Sequence, residues 1–112
     1  MYDSMRIFYE PLRSLGFADI GANYVNIGDP FSHPVRILRV FNNTDVDLLI
    51  SFDGETPEDF IATKSGYVYD YSTNRSDQAG LAEQVAGTSI YVKENGTSAA
   101  SGSIYVTVIY VD

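Results

Sequence analysis

The chain has no cysteine, no tryptophan and a single histidine among its 112 residues. Without cysteine there is no disulfide to staple the fold, and no thiolate to serve as nucleophile or zinc ligand. With one imidazole, the common transition-metal sites lack their donors. A nucleophilic triad needs that imidazole beside an activated serine and an orienting carboxylate. His33 sits instead in Pro30-Phe31-Ser32-His33-Pro34, and no Gly-x-Ser-x-Gly context exists. Long hydrophobic runs are also missing, none approaching the ~20 residues that span a bilayer. Met1-Tyr2-Asp3-Ser4-Met5-Arg6 lacks the charged-then-apolar order of a signal peptide, so synthesis in a cytoplasm without export by a cleaved signal is the expectation. Basic residues are scarce, 7 Lys and Arg against 15 Asp and Glu, for a net charge of −8. Residues 41–112 carry the whole imbalance, because residues 1–40 hold four basic and four acidic side chains. Such a surface repels phosphate backbones and argues against nucleic-acid binding.

What is present is β-forming. Nine Tyr and six Phe accompany a hydrophobic content of 45%, ordinary for one globular domain of this length. Tyr joins an apolar ring to a polar tip, which suits half-buried sheet faces and protein interfaces. From Val35 onward short β-branched and aromatic runs alternate with turn residues. Val35–Phe41 and Asp47–Phe52, joined by Asn42-Asn43-Thr44-Asp45, read as a β-hairpin. Asp59–Ala62 is a short strand, and Tyr67-Val68-Tyr69-Asp70-Tyr71 puts three tyrosines on one face. Residues 72–84 are the most polar stretch and the expected long loop. Thr88–Lys93 and Ser103–Val111 complete a set of about six antiparallel strands, the signature of a small β-sandwich or barrel. Ile37, Leu48, Ile50, Phe52, Ile90, Val92, Ile104, Val106 and Val108 form the expected core.

Residues 1–34 differ. Met5, Ile7, Phe8, Leu12, Leu15 and Phe17 are apolar but follow no sustained strand or helix period, and Gly16, Gly21, Gly28, Pro30 and Pro34 break the remainder. An apolar, irregular segment either pads its own sheet or reaches onto a neighbour. The expected organisation is an extended N-terminal arm over 1–34 and a β-sandwich domain over 35–112. The arm residues, with Tyr67, Tyr69 and Tyr71, are the candidate interface.

Two further patterns resolve to turn chemistry. Asp53-Gly54-Glu55-Thr56-Pro57-Glu58-Asp59 lacks the ligand spacing of the helix–loop–helix calcium loop. As an acid/base pair its carboxylates have no evident desolvation to raise a pKa. The triplets Asn42-Asn43-Thr44, Asn74-Arg75-Ser76 and Asn95-Gly96-Thr97 have the form of glycosylation acceptors, but they fall where turns are expected in a chain without a secretion signal. No catalytic, cofactor-binding or metal-binding residue is assigned, no cofactor is expected, and the chain reads as non-enzymatic.

A family likeness begins at Pro34-Val35-Arg36-Ile37-Leu38-Arg39-Val40-Phe41-Asn42-Asn43-Thr44-Asp45. It continues through Leu49-Ile50-Ser51-Phe52-Asp53-Gly54 and Gly66-Tyr67-Val68-Tyr69-Asp70-Tyr71-Ser72-Thr73-Asn74. Gly87-Thr88-Ser89-Ile90-Tyr91-Val92-Lys93 and Gly102-Ser103-Ile104-Tyr105-Val106-Thr107 close it. In this order the segments resemble small β-sandwich virion structural proteins of tailed bacteriophages, of the head- or neck-associated type. The likeness covers roughly residues 22–110 and consists of strand-and-turn motifs. It implies a protomer working in many copies on the capsid or at the head–tail junction, as a decoration, collar or connector-associated protein. Its partners would be other copies and the capsid, portal or tail proteins, with no nucleic acid and no membrane; its location would be the virion, after synthesis in the host cytoplasm. A tail component is the close alternative. A small carbohydrate- or ligand-binding module, using the Tyr67–Tyr71 strand as platform, is the reading from another class.

Overall fold

The computed structural model describes residues 7–70 and 86–111. Among these residues nine strands make two antiparallel sheets packed face to face. They are β1 (Ile7–Tyr9), β2 (Arg13–Gly16), β3 (Val25–Asn26), β4 (Ile37–Asn42), β5 (Leu48–Ser51), β6 (Asp59–Ile61), β7 (Ser65–Asp70), β8 (Tyr91–Glu94) and β9 (Ser103–Val111). The only helical element among the described residues is a 3-10 turn at Phe17–Asp19. The first sheet runs β1-β9-β4-β7, with β2 also paired to β9, and the second runs β3-β8-β5-β6. The expected all-β sandwich is therefore what forms, and it does not close into a barrel.

Alternation decides which side chains enter the core. On β9, Ile104, Val106 and Val108 are fully buried between the sheets, and Leu48 and Ile50 meet them from β5. Of the expected core, Ile90 and Val92 are also buried, while Phe52 is half-buried against the cluster. Ile37 is a correction. On β4 the inward residues are Leu38, Val40 and Asn42, and Ile37 shares the opposite face with Arg39 and Phe41. Ile50 and Val106 have no exposed surface, so truncating either to Ala should cost on the order of 1–4 kcal/mol, read from the denaturant midpoint at constant slope.

The expected 35–52 hairpin is a second correction. β4 pairs with β7 and β9, whereas β5 pairs with β6 and β8. The Asn-rich segment is thus a corner that carries the chain from one sheet to the other. Its organiser is Asn42, whose buried amide donates to the Val46 and Ile61 carbonyls at 2.9 and 3.1 Å. The Asn42 side-chain oxygen accepts from the Thr44 amide and hydroxyl at 3.0 and 2.6 Å. A buried amide is tolerated only when its polar atoms are matched in this way.

The segment expected to stand apart as an arm is woven into both sheets over its described part. β1 and β2 both pair with β9, and β3 pairs with β8. Ile20, Ile27 and Phe31 belong to the core, and the Ile27 and Phe31 amides donate to the Ile90 and Thr88 carbonyls at 2.8 Å. β1 and β2 are one edge interrupted at Pro11, a residue that cannot donate to a ladder and is confined to edges and breaks.

At that interruption the chain buries Glu10 and Arg13, only 6% and 8% exposed. Arg13 Nη2 donates to Glu10 Oε1 at 2.7 Å, and Arg13 Nε to the Asp29 carbonyl at 3.0 Å. Glu10 Oε2 accepts the Ser32 and His33 backbone amides at 3.1 and 3.0 Å and lies 2.9 Å from His33 Nδ1. The His33 ring stacks on Tyr110 with centroids 3.7 Å apart. The guanidinium also lies 5.3 Å from the Phe31 ring centroid, a favourable placement for a cation on an aromatic face. One carboxylate thus ties the first-sheet edge to the loop that covers the end of the core.

Candidate interaction surface

The register of the first sheet lays out its outer face in rows. Residues directly opposite one another in antiparallel strands share a face. Tyr9, Ile109, Ile37 and Asp70 form one row. Thr107, Arg39 and Val68 form the next, with Leu12 leading into it beside β2. Ser14, Tyr105, Phe41 and Gly66 form the third. A sheet face turned to water ordinarily alternates to polar residues. Here large apolar residues stand exposed among Ser14, Arg39, Thr107 and Asp70: Leu12 is 63% exposed, Val68 61% and Phe41 40%. Ile7 and Tyr9 extend the patch along β1.

A shallow depression of about 600 Å³ lies in this face, lined by Leu12, Arg39, Phe41, Val68, Tyr105 and Thr107. Gly66 opens it, because a Cβ there would stand 3.0 Å from the Phe41 ring. Arg39 places a cation beside these rings and alkyl chains, its Nη2 3.5 Å from the Thr107 hydroxyl.

The candidate interface residues separate into groups. Ile7 and Leu12 lie on this patch, and Phe17 is exposed in the 3-10 turn. Phe8 is half-buried, its ring stacked on Tyr110 at 5.5 Å, and Leu15 packs against the core. Tyr67 is partly exposed, on the side of β7 opposite to the patch. Tyr69 packs edge-on against Phe52 at 6.2 Å and donates its hydroxyl to Asp59. Met5 and Tyr71 lie outside the described residues. Tyr9, Arg39, Phe41, Val68 and Tyr105 were missed as surface candidates. For Phe41 and Tyr105 the signal was present in the apolar residues on both faces of Val35–Phe41 and Ser103–Val111.

On the opposite side of the sandwich, the second sheet turns Leu49, Phe60 and Lys93 outward on β5, β6 and β8. Phe60 is 41% exposed. The turn before β6 holds Asp53, Glu55 and Glu58. Asp53 accepts from the Thr56 and Glu55 amides at 2.8 Å each and from the Ser51 hydroxyl at 2.7 Å. These bonds hold its carboxyl well below the usual carboxylate range. Glu58 accepts the Phe52 amide at 2.6 Å. The turn is therefore ordered by its own carboxylates, which carry negative charge to the surface. Among the described residues no group of three or more His, Asp or Glu is placed to hold a metal ion, and no helix is long and apolar enough to cross a membrane.

No family model matches the chain, and no curated protein matches it. Among solved structures it is similar to the crystal structure of the SPP1 Dit (gp 19.1) protein, described as a paradigm of the hub adsorption apparatus in phages infecting Gram-positive bacteria. Identity is 12% and the TM-score 0.40, over 93% of this chain. The match spans 49% of that protein's length.

Proposed function

We propose that the protein is a non-enzymatic structural component of a tailed-bacteriophage virion. It assembles in multiple copies on the capsid or at the head–tail junction, in a decoration, collar or connector-associated role. The observation that carries this reading is the exposed apolar outer face of the first sheet. A sheet with apolar residues on both faces is suited to burial on both sides, and an exposed patch of this kind marks a contact surface. The motif order from Pro34 to Thr107 supports the virion assignment. The acidic balance of residues 41–112 favours protein partners over nucleic acid, and the reading requires no cofactor and no membrane. The inward packing of Tyr69 weighs against a carbohydrate platform on β7, because that ring is committed to the core.

Mass spectrometry of purified particles produced by the encoding genome, combined with imaging of those particles, tests the proposal. The expected result is several copies per particle with density at the capsid surface or neck. Density confined to the tail assigns the protein to the tail instead. Its absence from intact particles overturns the reading.

A further inference from the structure

The assembly reading leaves open what covers the outer face, and two observations point to one occupant. The depression in the first sheet is lined by Leu12, Phe41, Val68, Tyr105 and Thr107, with Arg39 as its cation. On the far side of the sandwich Phe60 stands out from the edge strand β6, directly after a turn bearing Asp53, Glu55 and Glu58. One surface is an apolar hollow with a positive group, and the other is an exposed ring beside negative groups. We infer that the occupant of the hollow is a second copy of this chain, presenting Phe60 and the 53–58 turn. This inference rests on the assembly reading and adds the geometry of the contact.

Charge selects this pairing over a face-to-face dimer. Copies carrying −8 each repel in most orientations, and a two-fold stacking of the outer faces would bring the two Arg39 side chains toward one another. Setting Arg39 of one copy against the acidic turn of the next replaces that repulsion with attraction and fixes the register. The apolar contribution comes from burying the Phe60 ring in the hollow. Aromatic residues and arginine at the centre of a contact commonly dominate its energy.

The two surfaces lie on opposite sides of the sandwich, so the contact joins unlike patches. A contact of this type repeats from copy to copy and produces a ring if the rotation closes, or an open row if it does not. It does not stop at a dimer.

Sedimentation velocity on the full chain tests this. Four samples are compared: wild type, Arg39→Glu, Phe60→Ser, and an equimolar mixture of the two variants. Both substituted side chains are exposed, and unchanged dichroism and thermal midpoints will establish that the variants fold. Wild type should sediment as a multimer, and each variant alone should be monomeric, with self-association weakened at least tenfold. The mixture should form a discrete one-to-one dimer, since each variant retains the surface the other has lost. Multimers persisting in both variants, or in Phe60→Ser alone, overturn the pairing, and so does a mixture that remains monomeric. A monomeric wild type also overturns it. None of these results removes the protein from the virion, which is decided separately by its presence in purified particles.

Discussion

Replacing Glu10 with Ala should cost about 3–5 kcal/mol, because it removes one partner of a buried ion pair and leaves the other charge in place. Arg13 is only 8% exposed, and its Nη1 already has no hydrogen-bond partner among the described residues. Without Glu10 the guanidinium also loses its 2.7 Å contact, and the Ser32 and His33 amides lose their acceptor. Glu10→Gln should fall between wild type and Ala, since an amide oxygen can accept some of these bonds without the charge. The pH dependence has a definite sign. Burial works to raise the Glu10 pKa, but hydrogen bonds from Arg13 and His33 and the Arg13 charge outweigh it, leaving the group below its ordinary 4.5. A depressed carboxylate pKa stabilises the fold fully above the unfolded value, and that contribution disappears as pH falls through the folded value. Wild type should therefore lose stability on acidification below about pH 4.5, more steeply than Glu10→Gln. Chemical denaturation across pH 2–7 measures the difference. Equal acid slopes in the two proteins would show that Glu10 does not carry this linkage. Comparing the pair also separates Glu10 from Asp45, whose carboxyl is lowered mainly by the Ala100 amide.

The same cluster shows why the N-terminal third was hard to read. Its strands are two to four residues long, too short for a period to emerge, and Pro11 divides one edge into two pieces. The bonds that hold the segment link Glu10 to residues 22 and 23 positions away and Arg13 to carbonyls 16 and 17 positions away. No local pattern encodes such pairings. By contrast, β9 was legible down to its phase, because Ile104, Val106 and Val108 alternate with Tyr105 and Thr107 over nine residues. β4 was legible as a strand but not in phase, since Ile37 and Phe41 on one face are as apolar as Leu38 and Val40 on the other.

That ambiguity also concealed the candidate surface. A strand apolar on both sides reads as deeply buried, and the sequence does not say whether its second cover belongs to the same chain. Among the described residues Leu12, Val68 and Phe41 stay exposed on that outer face. The sheet change at Asn42–Val46 was hidden for a related reason. Asn, Thr and Asp serve equally in a hairpin turn and in a corner between sheets. Only the destinations of the Asn42 amide, at Val46 and Ile61, distinguish the two.

The corner also sets the second large effect. Gly102→Ala should destabilise the fold by about 3 kcal/mol or more, combining the cost of left-handed backbone with that of overpacking. Gly102 has φ +89, and a Cβ there would lie 1.9 Å from the Asn43 carbonyl oxygen and 2.8 Å from the Thr44 Cα. The obstructing atoms are main chain, so no side-chain rotation relieves the overlap. The backbone cannot yield cheaply either. Asn43 donates to the Ser103 carbonyl at 2.9 Å, Phe17 donates to the Gly102 carbonyl at 3.0 Å, and Asn42 anchors the opposite side of the turn. Gly96→Ala supplies the control. Gly96 has φ +87, but a Cβ there would meet nothing within 4 Å, so only the conformational cost of about 1–2 kcal/mol applies. Thermal and denaturant unfolding of both variants should therefore rank Gly102→Ala well below Gly96→Ala. Equal losses at the two positions would mean that the Asn43–Thr44 corner moves aside, and that the approach of β9 to the corner does not constrain how the sheets join.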